Sequence, residues 1–259
     1  MRLINMSYPQ VEEYFKGNDT VIFAMGSIEN HGKHNPLGVD TLIPERILEL
    51  VEKKCEVLII PTLPYGTCEP LMGYAGTISL GPDIYYGVIN KIVESMYMYG
   101  AKKILFLNGH DMNIPILERV GLEWYDKGLY ALHISWWTIL PSINPNWIGG
   151  HGGAVETSAI MSIDPNLVDL SKVGSISPKN DLSDEIPTCG VKNVKFKGVE
   201  IPFNRPIKSI SDNGWFGPVG QPDGHDHPKD STAEYGQEML EAVADYIAEF
   251  TEAFKRVKV

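Results

Sequence analysis

Four short apolar runs limit what this chain can fold into. "TVIFAM" (20–25) is β-branched, apolar and closed by Gly26, which reads as a buried strand. "EVLIIPTLPYG" reads as strand into loop, and "KKILFLNGH" and "LYALHISWW" read as two further strands. Helical spacing fills the gaps. "DTLIPERILELVEKK" sets Leu42, Ile43, Ile47, Leu50 and Val51 on one side, with Asp40 or Thr41 placed to cap it and Pro44 in its first turn. "DIYYGVINKIVESMYMYG" reads as a helix stopped by Gly100, "NIPILERVGLEWYDKG" as another, and "GGAVETSAIMSI" as a helix start. Strand, loop and helix in repetition imply an α/β fold of parallel βαβ units with helices on both faces of the sheet. In such folds ligands sit beyond the carboxyl ends of the strands. The polar clusters fall there: "GSIENHGKH" follows the first strand and "NGHDMN" the third.

The chain of 259 residues, 43% apolar and 21% charged, suits one domain over 1–259. From about 171 to 230 the apolar runs shorten and Gly, Pro, Asn and Asp become frequent, which reads as an elaboration of that domain. Within it "VKNVKFKGVEIPF" alternates like a hairpin, and "STAEYGQEMLEAVADYIAEFTEAF" then closes the chain as an amphipathic helix capped by Ser231 or Thr232. A net charge of −11 leaves no basic stripe for nucleic acid. No run of about eighteen apolar residues is present, so no membrane span is expected. The start, "MRLINMSYPQVEEYF", lacks the pattern of a secretory signal, and a cytoplasmic location is expected. Three cysteines far apart, without a CxxC pair, give neither a disulfide framework nor a cysteine zinc site.

The chemistry concentrates in three glycine-rich segments. In "GSIENHGKHNPLGVD", Glu29 and His31 are two apart and share one side of an extended segment, and Asp40 returns after a turn through Pro36 and Gly38. Asp40 alone reads as a helix cap. The trio together reads as a metal site, because anionic and imidazole groups crowded into one loop need a compensating charge. In "LFLNGHDMN", His110 follows a buried strand, with Asn108 placed to orient it. In "WIGGHGGAVETS", Glu156 falls in the first turn of a helix, where a capping glutamate is also common, and His151 is a plausible general acid or base. His225 and His227 in "PDGHDHPKD" read as a solvated loop, and His133 as a core histidine.

Taken together, "GSIENHGKHNPLGVDTLI", "PTLPYG", "GTISL", "NGHDMN", "HGGAVETS" and "STAEYG" resemble the creatininase family of metal-dependent hydrolases, in order and in approximate spacing. The resemblance implies a three-layer α/β/α fold with a mainly parallel central sheet. It implies two divalent ions per chain (zinc, manganese or iron), with Glu29, His31, Asp40, His110 and Glu156 as ligands and Asp40 shared. His151 and Glu156 would be the catalytic pair, and Trp136, Trp137, Trp147, Thr77 and Met112 would contact substrate. Creatininases carry a ligand glutamate where this chain has Met112, so the second ion would take its carboxylate from Glu156. The loop around His225 and Asp226 is longer and more polar than the family's usual turn, which leaves open whether His225 or Asp226 reaches the pocket, from the same or a neighbouring subunit.

The implied reaction is hydrolysis, in which water activated between two ions attacks a carbonyl of a small cyclic substrate. Met112 and the polar late loop favour ring-opening of an oxidised cyclitol, a diketo-inositol. The alternatives are an amidohydrolase acting on a cyclic amide or formamide such as creatinine, and a non-catalytic binding module for a small molecule or metal. The expected partners are a small-molecule substrate and further copies of the chain, with a hexamer favoured, and neither nucleic acid nor membrane.

Overall fold

A computed structural model of the protein describes residues 1–174, 182–189, 192–216 and 226–259. The chain opens with α1 (Tyr8–Gly17), β1 (Thr20–Met25), α2 (Val39–Val51) and β2 (Leu58–Leu63). α3 (Gly81–Tyr99), β3 (Lys103–Asn108), α4 (Ile114–Tyr125) and β4 (Tyr130–Ser135) follow. α5 (Trp136–Ile143) and α6 (Ala154–Ile163) come next. After the short strands β5 (Thr188–Cys189), β6 (Asn193–Phe196) and β7 (Val199–Pro202), α7 (Ala233–Lys255) completes the order.

The main sheet is parallel and runs β2-β1-β3-β4. Its two central strands are buried along their whole length. Alternation then sends successive side chains to opposite faces. Ile22, Ala24, Leu105 and Leu107 face a layer built from α2, α5, α6 and α7. Val21, Phe23, Met25, Ile104 and Phe106 face a layer built from α1, α3 and α4. The architecture is therefore three-layer α/β/α. α7 lays Met239, Leu240, Val243 and Ile247 into the first layer with no exposure, each worth about 1.5–3 kcal/mol of burial. Its carboxyl end is tied to the start of β3 by the buried Lys103, whose Nζ donates to Lys255 O and Val257 O at 2.7 Å each.

Strand order decides where a site can form. From β1 the chain steps to β2 on one side, then crosses back over β1 to β3 on the other. β1 and β3 thus flank the switch point, where the loops leaving adjacent carboxyl ends part to opposite faces and leave a crevice.

Several boundaries differ from the sequence expectation. α1 was not anticipated. "LYALHISWW" is a strand only to Ser135, and its two tryptophans open α5, because an apolar run alone does not separate a strand from a buried helix. α2 is capped at Gly38, so neither Asp40 nor Thr41 is its N-cap. Pro44 lies in the helix interior, beyond the first turn. The alternating segment around Lys195 does form a hairpin. β6 and β7 join through Lys197 and Gly198, both at positive φ (47° and 85°), and β5 adds a third strand to that small antiparallel sheet. Among the described residues no helix is long and apolar enough to cross a membrane.

Candidate metal centre

Three loops converge at the switch point. The first leaves β1 and is closed on itself by Glu29 N donating to Leu37 O at 2.9 Å, and it presents Glu29 and His31. It leads into α2, where Asp40 is the second helical residue. The second leaves β3 and presents His110. The third precedes and enters α6, bringing His151 and, in the first turn, Glu156. Carboxylates at two helix N-termini are favoured by the exposed amides and the helix dipole.

Pro44 shapes this junction. It has no N–H to give to the carbonyl of Asp40, four residues earlier, so that oxygen is free of the helix ladder. Gly26 and Gly109, which follow β1 and β3, close on it instead. A Cβ on either would lie 2.4 and 2.0 Å from Asp40 O. Two glycines at two strand ends thus let the start of α2 descend between them and aim Asp40 at both loops.

The carboxylate of Asp40 is shared. Its Oδ1 is 3.0 Å from His31 Nε2 and its Oδ2 is 3.0 Å from His110 Nδ1. Glu29 Oε1 lies 3.2 Å from His110 Nδ1, and Glu156 Oε2 lies 3.7 Å from His31 Nε2. The potential ligands therefore form two triplets with one member in common, Glu29–Asp40–His110 and His31–Asp40–Glu156. Glu29, His31 and His151 make a further overlapping group.

The outer nitrogens are fixed. His31 Nδ1 faces Glu29 O at 3.2 Å, His110 Nε2 faces Thr67 O at 2.7 Å, and His151 Nε2 faces Asn30 O at 2.6 Å. A carbonyl only accepts, so each of these nitrogens carries the proton and each partner nitrogen points into the cluster. His151 is held flat between two rings, with its centroid 4.1 Å from that of His31 and 4.8 Å from that of Phe216.

The charges are far from their solution behaviour. Burial opposes the charged form of His31, but Asp40 and Glu156 outweigh it and raise its pKa to about 10. His110 is also raised well above the ordinary value, against burial, by Glu29 and Asp40. Burial would raise Asp40, yet the two imidazoles hold it below the ordinary carboxylate range. Burial raises Glu29, and it lifts Glu156 to about 7. Burial and the charge on His31 push His151 well below its ordinary value, so it is neutral.

These observations fit divalent ions. Two buried carboxylates and the partly exposed Glu156 draw protons onto two imidazoles, which is the positive charge that cations would supply. Asp40 Oδ2 is buried without a well-directed hydrogen bond although His110 Nδ1 is 3.0 Å away, as expected of an atom that engages a cation. Oxygen and imidazole donors suit zinc, manganese and iron alike.

The structure thus gathers Glu29, His31, Asp40, His110, His151 and Glu156. Glu156 also accepts from Gly152 N at 2.6 Å, so it does part of the work of a cap. His34 stands behind the cluster, with its Nε2 donating to Gly152 O at 2.9 Å. Trp136 and Trp147 are buried in the apolar layer on α7, with Trp137 packed against it. Thr77 is buried with Oγ1 unpartnered, and Met112 is half-buried, its carbonyl accepting from Thr67 Oγ1 at 2.8 Å. His227 does not join the cluster. It packs edge-on against Trp215, and its Nδ1 accepts from Lys229 N at 3.1 Å. His225 lies outside the described residues.

Sequence reasoning missed "DNGWFG". Phe216 stacks on His151 and its N donates to His151 O at 2.9 Å, while Trp215 meets His34 edge to face. Asn213 accepts through its carbonyl from Asn30 Nδ2 at 3.0 Å, bracing the first loop from 183 residues away. The available signal was a Trp-Phe pair beside glycine in a segment with little other apolar content.

Fold and site together define an α/β protein with a candidate dinuclear metal centre at its topological switch point. The family model described as creatininase (creatinine amidohydrolase) matches residues 4–251, and the chain belongs to the creatininase family. It is 27% identical over 179 residues to creatinine amidohydrolase of Pseudomonas putida, covering 61% of this chain and 69% of that protein. It is 25% identical over 264 aligned positions to 3-dehydro-scyllo-inosose hydrolase of Thermotoga maritima, covering 93% of this chain and 79% of that one. A mycofactocin precursor peptide peptidase of Mycobacterium tuberculosis is 29% identical over 196 residues, 70% of this chain and 73% of the relative. Among solved structures, a manganese creatininase superposes with a TM-score of 0.74 at 21% identity, covering 99% of both chains, and shares the fold.

Proposed function

We propose that this protein is a divalent-metal-dependent hydrolase that opens a small cyclic substrate at a carbonyl carbon, with an oxidised cyclitol of the diketo-inositol class as the favoured substrate. The observation that carries the proposal is the pair of ligand triplets sharing Asp40, each imidazole locked on a backbone carbonyl. Glu29, Asp40 and His110 would hold one ion, and His31, Asp40 and Glu156 the other. When bound, such ions polarise a carbonyl and lower the pKa of water at the site.

The chain's own residues supply the proton chemistry. His151 is neutral, with its Nε2 proton committed to Asn30 O and its Nδ1 lone pair 3.8 Å from Glu29 Oε1. It is set to take a proton from the attacking water and return it to the leaving group. Phe216 and His31 on its two faces hold the ring in that orientation. Glu156, as a ligand of the second ion, would steer that ion and its water beside His31. Thr77 Oγ1 and Met112 would contribute to the substrate wall, whereas Trp136 and Trp147 are packed into the apolar layer on α7, with Trp137 against it, and could only support that wall from behind. A buried hydroxyl without a partner suits a hydroxylated ligand.

The cyclitol reading is supported by the wider coverage of the match to the Thermotoga relative, and by Met112, which stands where the resemblance to creatininases implies a ligand glutamate. Creatinine hydrolysis is the second reading, favoured by the match to the Pseudomonas enzyme. Self-association belongs to the same reading, a hexamer being favoured. β4 is an edge of the main sheet beside a groove lined by Tyr125, Leu132, Phe250 and Phe254. A cytoplasmic location also stays with it. Chain loaded with Mn²⁺ or Zn²⁺ should turn over a diketo-inositol and lose that activity on chelation. Turnover of creatinine alone would sink the cyclitol assignment, and ligand binding indifferent to chelation would point to a binding module.

A further inference from the structure

α6 starts without a capping side chain of its own, because its N-cap is Gly153. The amides that open the helix would lack acceptors. A residue from far along the chain meets them. Ala154 N donates to Asp226 O at 2.9 Å, and Val155 N donates to Asp226 Oδ1 at 2.8 Å. The second carboxylate oxygen, Oδ2, accepts from Gly150 N at 2.7 Å. Asp226 therefore grips both sides of the His151 turn and the residue preceding Glu156.

Two features show that the contact is built. Asp226 holds a φ of 58°, a conformation that costs a residue with a side chain about 1–3 kcal/mol and persists only where its surroundings enforce it. A Cβ on Gly153 would stand 1.7 Å from Asp226 Oδ2, so the absent side chain at the N-cap is the space the carboxylate fills. Asp226 reaches neither triplet itself. Its oxygens are spent on backbone amides behind the site, in the same chain.

We propose that Asp226 is a positioning residue for the metal centre. By capping α6 from outside and holding Gly150, it sets the aim of Glu156 and His151 while leaving Glu29 and His110 untouched. The proposal rests on the metal-centre reading of the site, and it predicts a one-sided defect that a general loss of stability would not give.

The test is Mn²⁺ titration of metal-free full-length chain by calorimetry, with amide hydrogen exchange of the 149–156 segment on the same samples. Asp226→Ala should weaken one of two Mn²⁺ equivalents about 10–100-fold, the range for removing a group that orients a ligand, and leave the other unchanged. Glu156→Gln identifies the affected equivalent, and adding Asp226→Ala to it should weaken that equivalent no further. Exchange at Gly150 and Val155 should quicken at least about tenfold, the direct consequence of losing their acceptor. Gly153→Ala, which displaces the carboxylate and keeps Asp226, should reproduce the pattern and serves if Asp226→Ala does not fold. Wild-type affinity for both equivalents, or equal weakening of both in the folded variants, would overturn the proposal. If the unsubstituted chain takes up no ion, the metal-centre reading fails on its own, and exchange at Gly150 and Val155 still decides whether Asp226 holds the turn.

Discussion

His110 Nδ1 stands 3.0 Å from Asp40 Oδ2, although the first follows β3 and the second opens the helix after β1. The two strands are neighbours only because the chain crosses over between them. Asp40 is thus the hinge of the ligand set. Asp40→Asn is expected to lose both ions, whereas His110→Ala loses only the one shared with Glu29. Metal analysis after dialysis against a weak chelator checks this, and loss of a single equivalent from Asp40→Asn would rule out a bridging role.

Metal-free protein should become less stable as pH rises. His31 titrates at about 10 in the fold against 6.5 ordinarily, so the native state keeps a proton that the unfolded chain gives up. Its contribution is whole below 6.5 and is lost as pH climbs toward 10. Glu156, lifted from 4.5 to about 7 by burial, also binds its proton more tightly in the fold, so stability falls across that window too. Asp40, held low, acts oppositely and matters only under acid conditions. His151, pushed well below 6.5, takes up a proton on unfolding below that pH and offsets Glu156 there, so the Tm of metal-free chain should decline chiefly from about pH 6.5 to about pH 9. Saturating Mn²⁺ should raise Tm most at the alkaline end, where fewer protons compete. A flat profile would contradict the protonation of His31.

Gly109 and Gly87 make opposite predictions for the same substitution. Gly109→Ala forces a Cβ to within 2.0 Å of Asp40 O and 2.6 Å of Pro44 Cγ, and should cost about 1–3 kcal/mol and weaken metal uptake. Gly87 lies in α3 with nothing within 4 Å of its added Cβ, so Gly87→Ala should stabilise by about 0.4–1 kcal/mol without touching the ions. Urea titration of both variants separates the two.

Phe216→Ala removes one face of the sandwich around His151. The lost ring contact is worth about 0.5–1.5 kcal/mol. Turnover should drop about tenfold with metal content unchanged. The His151 ring, relieved of part of its burial, should titrate closer to its ordinary value, which NMR would show. An unchanged titration would mean that Phe216 does not set the environment of His151.

The layers and the residues that gather at the candidate centre were legible for one reason: both are written locally. β1 coincides with an apolar run bounded by charge and glycine, and His110 sits where such a run ends. What sequence could not supply was contact between distant segments. Trp136 and Trp137 carry no mark that distinguishes strand from helix, and they open α5. Asp40 looks like a cap, yet the cap is Gly38 and the carboxylate turns inward, because Gly26 and Gly109 admit the helix between two loops. Phe216, Asn213 and Asp226 act on residues between 65 and 183 positions away, through backbone atoms that no motif displays.

The crossover that separates β1 from β3 has a consequence for assembly. Glu29, Asp40, His110 and Glu156 meet only after the central strands have paired and α6 has docked, so an unfolded or partly folded chain has no preformed site to offer an ion. Ion uptake is then tied to completion of the tertiary structure, and free metal at a hundred times its Kd would add about 2.7 kcal/mol to the native state. The supply of the ion would decide how much of the chain survives in its finished form as well as how fast that form works.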